Sequence, residues 1–459
     1  MMKSRERMAW TLVLGASLAI NVLLFVQPVD ADIETTHRYQ QVFQNVLNYM
    51  RTVYVNEEDD KKLLIGAVRG MMAATGDPYT RFLTKEEHNE FNNAEEGQKV
   101  GIGVEVTMQN DYPTVISPVE GGPAEKAGVL AGDRIVSIDG KSTHKKYFGE
   151  ILKLIAGETG TVVELEIRRE GAAKPITLQV SRGFFNLNYC RGAVIEDNVG
   201  YIRLTQFYGE DSGTVKKFRG YLKEFRDKRV SGIVVDLRNN TGGLLTMAGT
   251  LTGYFLKEGD VIVRARGRDA ARERVMRAEG DTNLLPPDMP IVVLVNRGSA
   301  SASEIMAGAL QDHKRATILG SRTFGKASVQ QIIRPLPDDT AAIITTQKYF
   351  TPNNQQLHGK GLSPDIKVAD LRPDTDESYY LYKIKDTKFI EGFKRKYPKY
   401  NEDLPPIFMS ELKTRGWTLS PVLALFILKQ AYNAIPPGRP DLETDVQLSR
   451  ALKEIAKRK

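Results

Sequence analysis

Between Val199 and Leu310 short β-type runs rich in Val, Ile and Leu alternate with helical stretches, and no other feature restricts the available folds so strongly. The runs are Val199 to Leu204, Gly232 to Leu237 and Ile291 to Asn296, with helices following to Phe225, Leu256 and Leu310. A strand that is apolar throughout must be covered on both faces, and helices placed between parallel strands do this. An α/β domain is therefore expected over 185–368.

The flanking patterns differ. From Thr36 to about Asn93 the period is helical, with Val42, Val46, Met50 and Val53 three or four residues apart and a second helix through Leu63 to Met72. Gly76-Asp77-Pro78 breaks it. Residues 97–184 carry short β runs (Val100 to Met108, Thr114 to Ile116, Arg134 to Ile138, Val162 to Arg168, Ile176 to Val180) around one helix near Phe148 to Ile155, a small β-rich module. Over 369–459 the chain is polar and charged, then helical near Leu419 to Tyr432 and Leu448 to Ala456. With 459 residues, about three domains are expected beyond the termini. An apolar share of 41% and a charged share of 26% argue against disorder for the body of the chain. The fold class read from these patterns is multidomain α/β: N-terminal helices over 36–96, the β-rich module, the α/β core and a C-terminal helical segment.

Residues 1–31 stand apart. Lys3, Arg5 and Arg7 precede an uncharged stretch from Met8 to Val26, the layout of a secretory signal peptide or an N-terminal membrane anchor. Val29-Asp30-Ala31 suits cleavage, while the length of the apolar run approaches the roughly 20 residues that span a bilayer, so cleavage and retention both fit. Either way the chain is exported.

Composition also excludes chemistries. Cys190 is the only cysteine, so neither an internal disulfide nor a cysteine metal cluster can form. His37, His88, His144, His313 and His358 form no close metal-ligand spacing, and no metal or other cofactor is expected. The net charge of +7 is spread without an interleaved aromatic and basic platform, which argues against nucleic acid as a partner.

The most informative block runs from Ile291 to Leu310: a strand, a tight turn containing Gly298-Ser299-Ala300-Ser301-Ala302-Ser303-Glu304, then a helix. A serine there sits where unsatisfied N–H groups and the positive end of the helix dipole can support a developing oxyanion. A helix cap accounts for Ser301-x-x-Glu304 as well. Lys326 follows Gly325 between two apolar strands, a poor place for a solvated cation. To serve as a base its amine must be neutral, which burial in an apolar pocket favours by lowering its pKa some 3 units from about 10.4. With Val329 to Ile333 as a strand, Lys326, Ser328 and Gln330 share one face at a two-residue period, so the Gln330 amide can orient the lysine.

These motifs resemble those of the carboxy-terminal processing proteases, also called tail-specific proteases, over nearly all of 36–365. The resemblance implies an exported serine endopeptidase of the bacterial cell envelope, periplasmic or attached to the outer face of the inner membrane. It assigns the nucleophile to Ser301 rather than Ser299 or Ser303, the general base to Lys326 in Thr323-Phe324-Gly325-Lys326, and the lysine-orienting role to Gln330. A further block, Val235-Asp236-Leu237-Arg238-Asn239-Asn240-Thr241-Gly242-Gly243, implies an oxyanion hole from the N–H groups of Gly243 and Ala302, with Asp236 supporting the fold. Thr241 departs from the proline or glycine of many relatives. The β-rich module resembles a PDZ domain through Gly122 to Gly128 and Gly132 to Gly140, which places a carboxylate-binding loop at Gly101-Ile102-Gly103-Val104 and a peptide-sensing position at Arg168. A bulge explains the two loop glycines as well, and a solvated side chain explains Arg168. Partners implied are proteins or peptides with free C-termini, a second copy joined through the terminal helices, and a partner protein that switches on members resting inactive until PDZ and core realign.

Two other readings compete. Gly320-x-x-x-x-Gly325-Lys326 approaches a phosphate-binding loop of a nucleotide hydrolase, but Ala327 lacks the hydroxyl for magnesium and a strand follows where a helix is needed. A non-catalytic PDZ scaffold is opposed by the joint presence of Ser301, Lys326 and Gln330.

Overall fold

The computed structural model describes residues 33–458 except 94–99, 120, 147, 170–171, 173, 185–188, 209–212, 335, 433 and 435–439. The expected signal peptide or anchor at 1–31 lies outside them, and no described helix is long and apolar enough to cross a membrane. The chain forms two compact units, 1–74 and 75–459. In the first, α1 (Ile33–Thr52) and α2 (Asp60–Ala73) follow the expected period. Asp59 caps α2 by accepting the N–H of Lys61.

The second unit begins with β1 (Arg81–Leu83) and α3 (Lys85–Asn93), where the sequence suggested helix alone. Three residues are too few to display a period, and β1 exists because it pairs with a distant strand. The β-rich module follows: β2 (Val100–Gly101), β3 (Val104–Gln109), β4 (Tyr112–Pro118), α4 (Pro123–Lys126), β5 (Arg134–Ile138), β6 (Lys141–Ser142), α5 (Phe148–Ile155), β7 (Val162–Arg168), β8 (Ile176–Ser181) and β9 (Gly183–Phe184). Its main sheet has the order β3-β4-β5-β7-β8, with β6 on β5. Val163, Leu165 and Ile167 point into a core with Ile135, Ile138 and Ile151, while the alternate residues of β7 face outward.

The α/β core comprises β10 (Cys190–Ile195), β11 (Val199–Leu204), α6 (Thr214–Asp227), β12 (Gly232–Asp236), α7 (Leu245–Gly253), β13 (Val261–Arg266), β14 (Arg274–Arg277), β15 (Ile291–Val295), α8 (Ala302–Asp312), β16 (Thr317–Gly320), β17 (Ser328–Ile333), β18 (Ala341–Phe350) and β19 (Ile366–Lys367). One sheet has the order β10-β11-β12-β15-β16-β19 and is parallel from β11 onward. Its strands are apolar throughout because both faces are covered. Ile233, Val235, Val293 and Val295 pack with Phe218, Leu222, Leu251 and Met306 of α6, α7 and α8. Val234, Val292, Leu294 and Leu319 meet Leu448, Leu452 and Ile455 on the opposite face. A second sheet, β1-β18-β13-β14 with β17 on β18, flanks the first. Its long strand β18 escaped the sequence reading because Ala341-Ala342 and Thr345-Thr346-Gln347 interrupt any run of large apolar residues.

The C-terminal segment holds α9 (Thr375–Asp386), α10 (Phe389–Lys396), α11 (Leu404–Thr414), α12 (Pro421–Ala431) and α13 (Val446–Ala456). The first four gather their own core around Phe389, Phe393, Phe408 and Leu428. Helix α13 instead completes the main sheet. Leu448→Ala should therefore destabilise the whole core by about 3 kcal/mol, read as a lower urea midpoint with an unchanged slope; a loss under about 1 kcal/mol would show that α13 is peripheral.

Candidate active site

The site lies at the C-terminal edge of the parallel sheet, where loops leaving adjacent strands converge and α/β folds place their ligands. The loops after β12 and β15 are tied together. The Asn239 N–H donates to Asn296 Oδ1 (2.8 Å), Asn296 Nδ2 donates to Asn239 Oδ1 (2.8 Å), and the Ala300 N–H donates to the Asn240 carbonyl (2.9 Å). Ser299 and Ser303 belong to this framework. Ser299 Oγ donates to the Leu237 carbonyl (2.8 Å) and Ser303 Oγ to the Asn240 carbonyl (2.8 Å), and both side chains are fully buried. Ser301 is the one serine of the turn that solvent reaches, and it holds φ 55° and ψ −114° at the N-terminus of α8. Such a conformation is strained for a residue with a Cβ and presents the side chain outside the helix.

Glu304 organises the surroundings. Its buried carboxylate accepts the Thr323 hydroxyl and the N–H of Gly325 (2.8 Å) on Oε1, and the N–H groups of Ser301 (3.0 Å) and Lys326 (2.9 Å) on Oε2. The backbones of Ser301 and Lys326 thus meet on one oxygen atom. The sequence showed Glu304 only as half of a capping box, and its bonds to 323–326 had no local signal.

Lys326 precedes β17, on a loop closed against Gly359, whose N–H donates to the Gly325 carbonyl (2.9 Å). Its surroundings are less apolar than the sequence suggested. The ammonium lies 5.0 Å from the centre of the Tyr79 ring and 4.0 Å from Glu105 Oε1, which β3 supplies. Gln330 and Ser328 do share a face, since Gln330 Nε2 donates to Ser328 Oγ (2.9 Å) and also to Thr345 Oγ1 (3.1 Å). The register with β18 shifts between Val329 and Gln330 because β18 carries the extra residue, Thr346, so β17 keeps its own alternation; the Gln330 amide donates to Ser328 and Thr345, and no hydrogen bond joins it to Lys326. A strand after Lys326 rules out the phosphate-binding-loop geometry, which needs a helix there.

Gly242 and Gly243 have φ of 106° and 143°, and their backbone lies where a side chain cannot fit. A Cβ on Gly242 would stand 2.8 Å from Ser301 Cβ and 2.9 Å from the Ala302 nitrogen, and one on Gly243 would stand 2.3 Å from the Phe207 carbonyl oxygen. Among the described residues neither the Gly243 nor the Ala302 N–H donates to a backbone or side-chain acceptor. Beside Ser301 a small pocket is lined mainly by Ile262, Ile305, Ala327, Tyr349 and Leu357. A hydroxyl, an amine, two unpartnered N–H groups and an apolar pocket together can carry out acyl transfer.

In the β-rich module Ile102 is buried and its carbonyl accepts the Ala124 N–H (2.7 Å), while the Gly103 carbonyl accepts the Val119 N–H (2.9 Å). Gly101 pairs with Gly183, and Val104 starts the edge strand β3. Arg168 is exposed and lies opposite Arg134; its neighbour Arg169 makes the ion pair, with Asp133.

Comparison with known proteins settles the family. A model of peptidase family S41 matches residues 198–368 and a PDZ domain model matches 114–169. The carboxy-terminal-processing protease of Bartonella bacilliformis is 38% identical over 372 residues, 80% of this chain and 84% of the relative. The chain belongs to peptidase family S41. A probable CtpA-like serine protease of Staphylococcus haemolyticus is 34% identical over 74% of this chain and 68% of the relative. The solved structure of a photosystem II D1 C-terminal processing protease superposes with a TM-score of 0.62 at 31% identity, covering 71% of this chain and 86% of that one. The chain is a serine-type protease of the carboxy-terminal processing class, with a PDZ domain.

In this S41 protease the serines differ in what they support. Ser299→Ala and Ser303→Ala should each cost about 1 to 2 kcal/mol by stranding buried partners, whereas Ser301→Ala should cost less than either; equal losses in urea unfolding would contradict the division. Burial, the largest influence on Glu304, pushes its carboxyl up from 4.5 to about 7 against the opposing pull of its hydrogen bonds. An acid raised in this way stabilises the fold fully below its unfolded value and loses that contribution as pH climbs through its folded value. The contribution of Glu304 should fall by on the order of 3 kcal/mol between about pH 4.5 and about pH 7. Unfolding of wild type and Glu304→Gln across that range measures it: the stability difference, wild type minus variant, should shrink as pH rises, and a constant difference would refute the shift.

Proposed function

We propose that the chain is an exported endopeptidase that cleaves proteins with a Ser301–Lys326 dyad, its PDZ domain holding substrate C-termini at Gly101-Ile102-Gly103-Val104. The observation that carries this reading is the single Glu304 oxygen on which the backbones of Ser301 and Lys326 converge, beside a turn whose other serines are buried. The neutral Lys326 amine takes the Ser301 proton as Oγ attacks the scissile carbonyl. The oxyanion forms against the N–H groups of Gly243 and Ala302. Collapse breaks the C–N bond, Lys326 returns the proton to the leaving amine, and water then hydrolyses the acyl-serine with the same base. Ser328 and Thr345 hold the Gln330 amide through its Nε2, which leaves its side-chain oxygen to accept from the lysine and orient it.

The apolar pocket beside Ser301 suits an apolar residue before the scissile bond. The Glu105 carboxylate stands 4.0 Å from the Lys326 amine, which supports reading this PDZ position as a resting one that holds the base. Release by substrate, by a partner protein or by a second copy joined through the terminal helices frees it. Arg168, exposed on β7, is available to bound peptide. Export follows from residues 1–31, with the bacterial envelope as the site of action.

Ser301→Ala and Lys326→Ala should each abolish hydrolysis of an unstructured peptide with an apolar C-terminus, without additive losses in the double variant. Lys326→Arg should be inactive because guanidinium does not deprotonate in this range. Activity should rise with pH through the neutral to mildly alkaline range and survive chelator. An active Lys326→Arg enzyme, or chelator inhibition reversed by zinc, would overturn the assignment.

A further inference from the structure

The turn Asp77-Pro78-Tyr79-Thr80 lies outside the residues matched by the S41 and PDZ models, yet it reaches the site. Its footing is the protease sheet. Asp77 accepts the Tyr79 N–H (3.0 Å) on one oxygen and the Thr80 hydroxyl (2.7 Å) on the other, and Thr80 Oγ1 accepts the Thr345 N–H (3.1 Å). Immediately afterwards β1 pairs with β18, Arg81 opposite Ile343. Thr345 is the residue to which Gln330 donates, so the turn and Gln330 share an anchor.

From this footing the partly buried Tyr79 ring faces the Lys326 ammonium at 5.0 Å. Burial pushes the phenol up to about 12, so the ring is neutral wherever the enzyme would work. Opposite stands the PDZ strand β3. Val106 packs into the PDZ core, so alternation turns Glu105 and Thr107 the other way, toward Lys326 and Tyr79. Thr107 Oγ1 is buried beside the phenol and makes no hydrogen bond of good geometry.

We propose that Tyr79 is a positioning residue for Lys326, its ring holding the amine from the protease side while Glu105 holds it from the PDZ side. The two holds respond differently to charge. A carboxylate attracts only the ammonium, and its hold disappears when the amine gives up its proton. An aromatic face attracts the ammonium through its quadrupole and keeps van der Waals contact with the neutral amine. Tyr79 therefore stays in place for the reactive form and moves with the sheet that carries Gln330, whatever the PDZ domain does. This rests on Lys326 being the base.

The test is the pH dependence of kcat and KM for peptide hydrolysis by the full chain carrying Tyr79→Leu, Tyr79→Phe, or fluorinated phenylalanines of near-identical shape at position 79. Glu105, which faces the Lys326 amine, and Glu304 and Asp77, which lie near the ring, are unchanged in every arm, so differences report on the ring. Without a ring the midpoint of the pH–rate curve should move to lower pH by about half a unit to one unit, and the limiting kcat should fall about tenfold or more, with KM changed less than about threefold. Phenylalanine should restore the wild-type midpoint, and successive fluorines should lower it stepwise. If the leucine variant does not fold, the fluorinated series alone decides. Midpoints that ignore fluorination, or a phenylalanine variant displaced as far as the leucine one, would overturn the proposal. Hydrolysis by Lys326→Ala would instead overturn the assignment of the base; an inactive Lys326→Ala beside an unresponsive position 79 would count against Tyr79 alone.

Discussion

Placing a carboxylate in a protein interior costs several kcal/mol unless its oxygens are well supplied with donors. Glu304 offsets part of that cost with three backbone N–H groups and one hydroxyl, groups that would otherwise lack this acceptor near the interior. The dependence is mutual. Helix α8 and the 323–326 loop follow different strands, and Glu304 joins the Phe324 N–H, which donates to the Ser299 carbonyl (3.0 Å), in tying the two backbones together. The sheet supplies the coarse approach by setting β15 beside β16, and the carboxylate supplies the last few ångströms. Glu304 can do this only from the third position of α8, where it also closes the cap on Ser301.

The PDZ domain is held at the same edge of the sheet. Ser117 Oγ donates to the Asn239 carbonyl (3.0 Å), next to the residues that place Gly242 and Gly243. Arg372, beyond the S41 match, donates to the Ala131 carbonyl (3.2 Å). A shift of the PDZ domain would therefore act on the loop that carries the Gly243 N–H as well as on the surroundings of Lys326. Neither of these contacts is an ion pair.

Legibility in the sequence followed how local each signal was. The strands around Ile291 and Gly232 were plain because burial on both faces leaves a continuous apolar run, and the Ser301 turn was plain because strand, small residues and helix follow within one segment. β1 was missed because its reason for being a strand is a partner some 260 residues away (Arg81 and Ile343), and β18 because small and polar residues interrupt its apolar run. Ser328 and Gln330 share a face as the two-residue period implies, but Lys326 precedes the strand, so that period could not fix where its amine lies. Tyr79, Glu105 and the wider role of Glu304 were not legible, because each matters through a partner far off in the chain.

The region matched by the S41 model ends at residue 368, but the physics of the core does not. Asp236 is buried at the end of β12, where it accepts from Tyr201 Oη (2.8 Å), Arg203 and Arg238. Burial opposes its ionisation, yet Arg238 and Arg203 outweigh that and hold its carboxyl well below the usual range. Arg238 makes a second, paired contact with Asp445, through Nη1 at 2.8 Å and Nη2 at 2.6 Å, and Asp445 caps α13 by accepting the Leu448 N–H (2.9 Å). Arg238 is only partly exposed, so losing one of its two carboxylates weakens the compensation of its charge. The start of the loop from Arg238 to Gly243 is therefore anchored to α13 as well as to the neighbouring strands. The helix that closes the back of the sheet thus belongs to the active site as much as to the core, although it touches none of the residues assigned to the chemistry.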